Sequence, residues 1–549
     1  MALFCITGGT VYDPKNNLDG EQHDIWIEEG VIIDAPTDPE IKADKILDAT
    51  SMVVMPGGVD MHCHIAGPKV NVARKMMPDD KRKGDVVKRT HIKRSGTVGA
   101  VPSTFATGYL YSGLGYTTAF DAAIPPLAAR HAHEELEDTP IIDKGFFTLM
   151  GNNHFIMKQI KAGEPELVKA YVAWLLNATK GYAAKIVNPG GVEVWKSGGG
   201  DVSGLDDTID YFDITPRQII SHVSRAASEL NLPHPVHIHC NNLGVPGNWT
   251  TTLETMKSLE GHTGHITHIQ FHSYGGDPDD QSTFSSEVPR LVEYFNAHPN
   301  LTCDVGQVMF AETTSMTGDG PLGYFLHKVT GRKWFSGDIE MEAGCGIVPI
   351  TYKNKSLVHA LQWAIGLEWY LLVDDPWRCA MSTDHPNGAS FLAYPEIIAL
   401  LMSRDRRQEM IDRVPDGLKK RCTLEELDRE YTLNEIAIIT RAGPAKILGL
   451  ERKGHLGTGA DADVTIYNPN DDIQKMFELP RYVIQAGKVV VEDGEIREEH
   501  NGKLLHVAPQ FDHDAIPTIQ EWFEKYYTIQ FRNYQIDDDY LHKHEVIAT

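Results

Sequence analysis

Between residues 58 and 385 the chain alternates short apolar runs with longer stretches of helical spacing, and this alternation limits the available folds more than any other feature. The runs read GVDMHCHI, YTTAFDAA, KGFFTLMG, YAAKIVN, HPVHIHCN, HITHIQFHS, LTCDVGQV and CAMSTDH, with helix-like segments at 164–179, 216–230 and 285–297 among the connections. Eight strands with intervening helices predict an α/β chain folded as a (β/α)8 TIM-like barrel, whose chemistry sits at the C-terminal strand ends. A doubly wound sheet is the competing architecture. It would place a glycine-rich phosphate turn after its first strand, and no G-x-G-x-x-G opens a helix there.

The two ends of the chain differ from this middle. Residues 1–57 carry short strands and turns (LFCITGGTVYDP, HDIWIEEGVIIDA, KILDATSMVVMPG), and ADADVTIYNP and RYVIQAGKVVVEDGEI repeat the pattern within 441–495. The expectation is a small β-sandwich domain built from both termini, 1–57 and 441–495, around a barrel spanning 58–440. Residues 496–549 form a charged, aromatic extension suited to docking another protein chain of a complex.

Composition removes several function classes. The longest apolar stretch, LVHALQWAIGLEWYLLV, is interrupted by His359, Gln362 and Glu368, so no membrane span is expected. A net charge of −25 argues against nucleic acid as a general partner. The seven cysteines are scattered with no C-x-x-C, so no iron–sulfur cluster is expected in this chain. With no secretion-type leader in MALFCITGGTVYDP, they fit a reducing cytoplasm.

The ionisable residues that end the apolar runs point to a metal. Side chains two apart on a strand share one side, so His62 and His64 can aim at one point while Cys63 faces away. Lys185, His239, His272 and Asp384 stand near the ends of later runs, each just before loop-forming residues. Four imidazoles and two potential anions suit zinc or another borderline divalent ion. A lysine cannot ligate as an ammonium, but burial beside cations depresses its pKa, and the neutral amine can take up CO2 to become a bridging carbamate. VHIH also offers His237 on the same side as His239, and THIQFHS offers His268 on one face with His272. His131 and His133 form another H-x-H, but in a helical context they point about 200° apart and read as surface residues.

Taken together, PGGVDMHCH, AAKIV, STDH and GPAKILGL…KGHLGTGADADVTIYN resemble the amidohydrolase superfamily of binuclear metallohydrolases. Within it, VYDPKNNLDGEQHDI, MHCHIAGPKVNVARKMMPDDKR, KIVNPGG, HIHCNNLGVPGNW and FHSYGG are similar to the A-subunit family of formylmethanofuran dehydrogenase, the tungsten or molybdenum enzyme of methanogens. The A subunits of bacterial formyltransferase/hydrolase complexes share many of these stretches. The resemblance implies two Zn2+ ions held by His62, His64, N6-carboxylated Lys185, His239, His272 and Asp384, with family position selecting His239 over His237 and His272 over His268. Two metals about 3.5–4 Å apart would lower a water pKa from about 15.7 to about 7, worth roughly 12 kcal/mol. Asp384 is then the catalytic proton carrier.

The implied reaction is reversible condensation of formate with the amine of methanofuran. A tungsten- or molybdenum-pterin, formate-dehydrogenase-like subunit with iron–sulfur partners would make the formate from CO2. Alternatives are a hydantoinase or dihydroorotase-like cyclic amidase and a non-catalytic scaffold. From Lys69 to Arg94 there are ten Lys/Arg against three acids. Within this stretch Lys81, Arg82, Lys83, Lys88 and Arg89 are the expected landing site for methanofuran's acidic tail, and Asn188 in KIVNPGG is a further candidate substrate contact.

Overall fold

A computed structural model describes residues 3–38, 40–79, 86–198, 200–339 and 343–549. Eight parallel strands form its centre: β1 (Gly58–Cys63), β2 (Tyr116–Ile124), β3 (Asp143–Leu149), β4 (Ala183–Val187), β5 (Val236–His239), β6 (Gly264–Ile266), β7 (Leu301–Asp304) and β8 (Cys379–Ala380). Each pairs with the next in chain order, and a parallel bridge from Cys63 to His385 joins β8 back to β1. His64 N–H donates to His385 C=O at 2.7 Å across that seam. The sheet is therefore a closed barrel, and the alternation seen in the sequence is its cause: buried apolar strands need helices to cover them.

Strand six is shorter than the run HITHIQFHS suggests. It ends at Ile266, and a 3-10 turn over Ile269–His272 follows. His268 and His272 therefore reach the same region through a turn, not through strand alternation.

The chain ends meet in one nine-stranded sheet, in which Val53–Pro56 pairs antiparallel with Val464–Tyr467. Val11, Ile25, Ile27, Val54, Val464 and Ile484 belong to its own apolar core. The strand Leu3–Asp13 breaks register between Ile6 and Gly9, with Gly8 at φ +70°. That bulge lets its first half pair with Lys45–Asp48 and its second half with Val53–Pro56.

Lys453 ties this sheet to the barrel. Its buried ammonium lies 2.7 Å from Asp143, at the start of β3, 2.8 Å from Asp463 and 3.1 Å from Asp461. Lys453→Met would remove the buried cation shared by Asp143, Asp463 and Asp461, of which Asp461 keeps Arg452, and breaking such a buried pair costs about 3–5 kcal/mol. A clear fall in melting temperature is expected by circular dichroism, and an unchanged melting temperature would contradict the role.

The C-terminal extension packs on this chain's own barrel. Leu504–Val507 continues the sheet from Lys144, and Trp174 of the helix Pro165–Thr179 stacks on Phe531 and Tyr534. His133, expected at the surface, is buried: its ring packs on Phe146 and its Nε2 reaches Thr179 C=O at 2.9 Å. One face of the helix Ala129–Asp138 covers the barrel, whereas His131 on its other side is exposed.

Candidate metal centre

The end of β1 is held from beneath. Asp60 is buried and accepts hydrogen bonds from the Tyr394 hydroxyl at 2.6 Å, the Tyr111 hydroxyl at 2.7 Å and the His62 N–H at 3.0 Å. Cys63 turns into the core, donating to Phe120 C=O at 3.2 Å. His62 and His64 point the other way, their Nε2 atoms 2.9 and 3.0 Å from the same oxygen, Oδ1 of Asp384. Asp384 follows β8 in a left-handed conformation (φ +50°), and Asn387 Nδ2 donates to that Oδ1 at 2.8 Å.

Burial alone would raise the Asp384 carboxyl, but the charge of the His62 imidazole and the hydrogen bonds from His62 and His64 hold it well below the carboxylate range. Burial pushes His239, His268 and His272 well below the usual imidazole value, so they stand as neutral rings. Lys185 is also buried, which drops its amine to about 7 despite the opposing carboxylates of Asp384 and Asp304.

Among the described residues, both ring nitrogens of His272 and Nδ1 of His268 are buried without a hydrogen-bond partner. Neutral imidazoles, a carboxylate and a lysine amine poised near neutrality suit a borderline divalent ion. The residues present therefore fit the metals that the sequence motifs imply.

The alternative histidines divide differently. His237 is occupied inside the barrel: Nδ1 lies 3.0 Å from His234 Nε2, and Nε2 lies 2.8 Å from Thr267 Oγ1. His239, at the strand end, is free of that network. The His268 ring stands 5.3 Å from His62 and 4.7 Å from His239, whereas His272 stands beyond it, 5.4 Å from His239. His268 adopts φ +34° beside Gly306, where a Cβ would come within 2.5 Å of His268 Cβ. The backbone there is built to hold His268 in place.

Asp304, at the end of β7, is a site residue that the sequence motifs do not mark. It is fully buried and accepts from His62 Nδ1 at 3.0 Å, His265 Nε2 at 3.0 Å, Thr267 Oγ1 at 2.6 Å and Ser382 Oγ at 2.5 Å. A carboxylate on the far nitrogen of a ligating histidine fixes its tautomer and orientation. Here it leaves Nε2 of His62 as the atom facing Asp384. His62, His237 and Asp304 also lie close enough to grip an ion. The Thr267 hydroxyl fills that point, within hydrogen-bond reach of all three.

Two further acids reach the mouth. Asp319 Oδ2 lies 3.2 Å from His239 Nε2. Asn188 is buried and engaged, donating to Asp319 and Asp201 and accepting from Asn241 Nδ2 at 2.7 Å. Burial raises Asp201 to about 7 and Asp319 to about 6, and the neighbouring charge of Asp319 adds to the rise at Asp201.

The described residues of the basic segment have different surroundings. Lys81, Arg82 and Lys83 lie outside the described residues. Lys88 and Arg89 are exposed beside the hairpin of Val86–Val87 and Gly96–Thr97, where Val87 packs against an apolar cluster that includes Val483 and Val491 of the terminal sheet. Arg74 pairs with Glu135, and Arg94 with Glu499. Among the segment's described residues Lys69 enters the site, with Nζ 2.9 Å from His64 Nδ1 and 3.0 Å from Asp121.

A cavity of about 520 Å³ reaches Asp384 and Asn387 from the surface, with Phe271, Tyr274, Phe325 and Tyr352 on its walls. Another, of about 770 Å³ beside Trp377 and Lys446, has no histidine in its lining.

Residues 45–491 match the model of the amidohydrolase family. The chain is 45% identical to protein FwdA of Methanocaldococcus jannaschii, over 99% of this chain and 98% of the relative. It is 39% identical to the A subunit of the formyltransferase/hydrolase complex Fhc of Methylorubrum extorquens, over 93% and 92% of the two chains. A chain in the crystal structure of the formyltransferase/hydrolase complex (FhcABCD) from Methylorubrum extorquens in complex with methylofuran superposes with a TM-score of 0.93 at 36% identity, covering 100% of this chain and 99% of that one.

Proposed function

The chain belongs to the amidohydrolase family, and from that premise we propose that it is the amide-forming and amide-cleaving subunit of a formylmethanofuran dehydrogenase. It would interconvert N-formylmethanofuran with formate and the free amine at two Zn2+ ions. The observation that carries this reading is the convergence of His62 and His64 on Asp384, which lines a cavity, with buried Lys185 and His239 close enough to feel its charge, in a chain similar over nearly its whole length to FwdA and to the Fhc A subunit.

The proposed ligands are His62, His64, carboxylated Lys185, His239, Asp384 and one histidine from the turn after β6, either His272 as the motif implies or His268. Bound ions would supply Lewis acidity and bring a water within reach of deprotonation near neutral pH. The protein's own groups do the rest. Lys185, its amine lowered to about 7 by burial, would be neutral often enough to capture CO2 and offer a carboxylate to the ions. Asp384, held ionised by the surrounding imidazoles, takes the proton of the attacking water and passes it to the departing amine nitrogen. The products are formate and a primary amine, so atoms balance with no redox step in this chain.

Condensation runs the same path backwards and needs a high local formate concentration, which a partner chain reducing CO2 would provide. The fully buried floor of the site fits an enclosed supply. A cyclic amidase would use the same ligands, so substrate choice is the test. The purified zinc-loaded protein is expected to release formate from N-formylmethanofuran and to leave dihydropyrimidines and hydantoins intact. Ring opening without deformylation would overturn the reading.

A further inference from the structure

Residues 305–378 separate β7 from β8, and part of that connection closes over the site. Its three-stranded sheet (Glu312–Thr317, Phe335–Ile339, Ala343–Thr351) carries the helix Gly320–Thr330, and Asp319 caps that helix. The cap fixes one carboxylate oxygen: Oδ1 accepts from Leu322 N–H and from Asn188 Nδ2, both at 3.2 Å. The other oxygen, Oδ2, is left facing His239 Nε2 at 3.2 Å.

That separation has a specific meaning. Two donor atoms bound about 2.1 Å from one tetrahedral ion stand about 3.4 Å apart. His62 and His64 stand in the same relation to Asp384, at 2.9 and 3.0 Å. Asp319 is 1% exposed, and among the described residues no lysine or arginine pairs with it. A carboxylate buried there stays charged only with a positive partner and otherwise takes up a proton. The connection is also anchored to the first half of the site, because Met316 N–H donates to Asn387 Oδ1 and Asn387 Nδ2 donates to Asp384. Asp319 and Asp384 are thereby held in one frame on either side of the histidines.

We propose that Asp319 is a further protein ligand, its Oδ2 binding the ion that His239 holds. This rests on the binuclear reading above and adds a carboxylate that reaches the centre from outside the barrel strands. The connection then acts as a clasp: the second ion cannot be fully coordinated until residues 312–330 have folded over the mouth.

The test uses the full-length protein loaded with zinc. An anomalous difference map at the zinc edge is expected to place one of two ions about 2.0–2.2 Å from Asp319 Oδ2. Asp319→Asn, checked for native circular dichroism, is expected to weaken one of the two ions by more than about 10-fold in chelator competition, leaving the other unchanged. In the cobalt-substituted protein its visible spectrum should shift. Two ions in the wild type with Oδ2 beyond about 3 Å would overturn the assignment of Asp319 while leaving the binuclear reading intact, as would an Asn variant with both affinities and the cobalt spectrum unchanged. No bound ion at all would overturn both.

Discussion

Replacing Asp384 by Asn is expected to lower the rate of formate release from N-formylmethanofuran by at least about 10³-fold while the protein keeps its fold. The amide preserves size and can still meet Asn387, but it can neither hold the negative charge that draws His62 and His64 together nor carry a proton to the amine. Proton transfer by a positioned side chain is typically worth 10²–10⁴-fold, and loss of a charged ligand adds to that. KM should change far less than kcat, because the cavity walls of Phe271, Tyr274 and Tyr352 are untouched. Steady-state kinetics checks this. An Asn variant within a few-fold of the wild-type kcat would remove Asp384 from the chemistry.

The second large effect concerns Lys185. Lys185→Ala is expected to bind fewer than two metal ions and to lose activity by a similar factor, because the shortened side chain cannot carry the proposed carbamate. Millimolar acetate or propionate should restore part of both, since a small carboxylate can occupy the vacated space. The pH dependence follows from the depressed amine. Its folded pKa of about 7 lies below the ordinary lysine value, so the proton leaves as pH rises through about 7. Carbamate can form only on the neutral amine. Metal-stripped protein supplied with zinc and bicarbonate should therefore regain activity readily above about pH 7 and progressively more slowly below it. The sign also holds for stability. The unfolded lysine binds a proton up to its ordinary pKa while the folded one does not, so this group's contribution rises with pH above about 7. Recovery that is independent of pH and bicarbonate would contradict the carbamate.

Much of this arrangement is legible in the sequence because a polar residue at the end of an apolar run has one physical meaning in a barrel: it faces the mouth. His62, His64, Lys185, His239 and Asp384 carry that signal, and the structure gathers their strands into one closed sheet. Asp304 carries it too, at the end of LTCD, but its partner is the inner nitrogen of a histidine whose outer nitrogen already has a role, a pairing that no spacing reveals.

Strand six misleads for a different reason. HITHIQFHS alternates well enough to read as one long strand, but the chain leaves the sheet at Ile266. The left-handed turn at His268 depends on clearance from Gly306, which is far away in sequence. Asp319 is invisible because it arrives on a connection with no periodicity to mark it. In the basic run from Lys69 to Arg94 the described residues divide: Arg74 and Arg94 are taken up in ion pairs, Lys88 and Arg89 are exposed, and Lys69 touches a site histidine, a division that charge density does not reveal.

A zinc titration of the metal-free protein tests the proposed two-metal deformylation most directly. Formate release from N-formylmethanofuran should be absent without metal and should rise to a plateau at two ions per chain. Full activity in the metal-free protein, or a zinc-saturated protein that releases no formate, would contradict it.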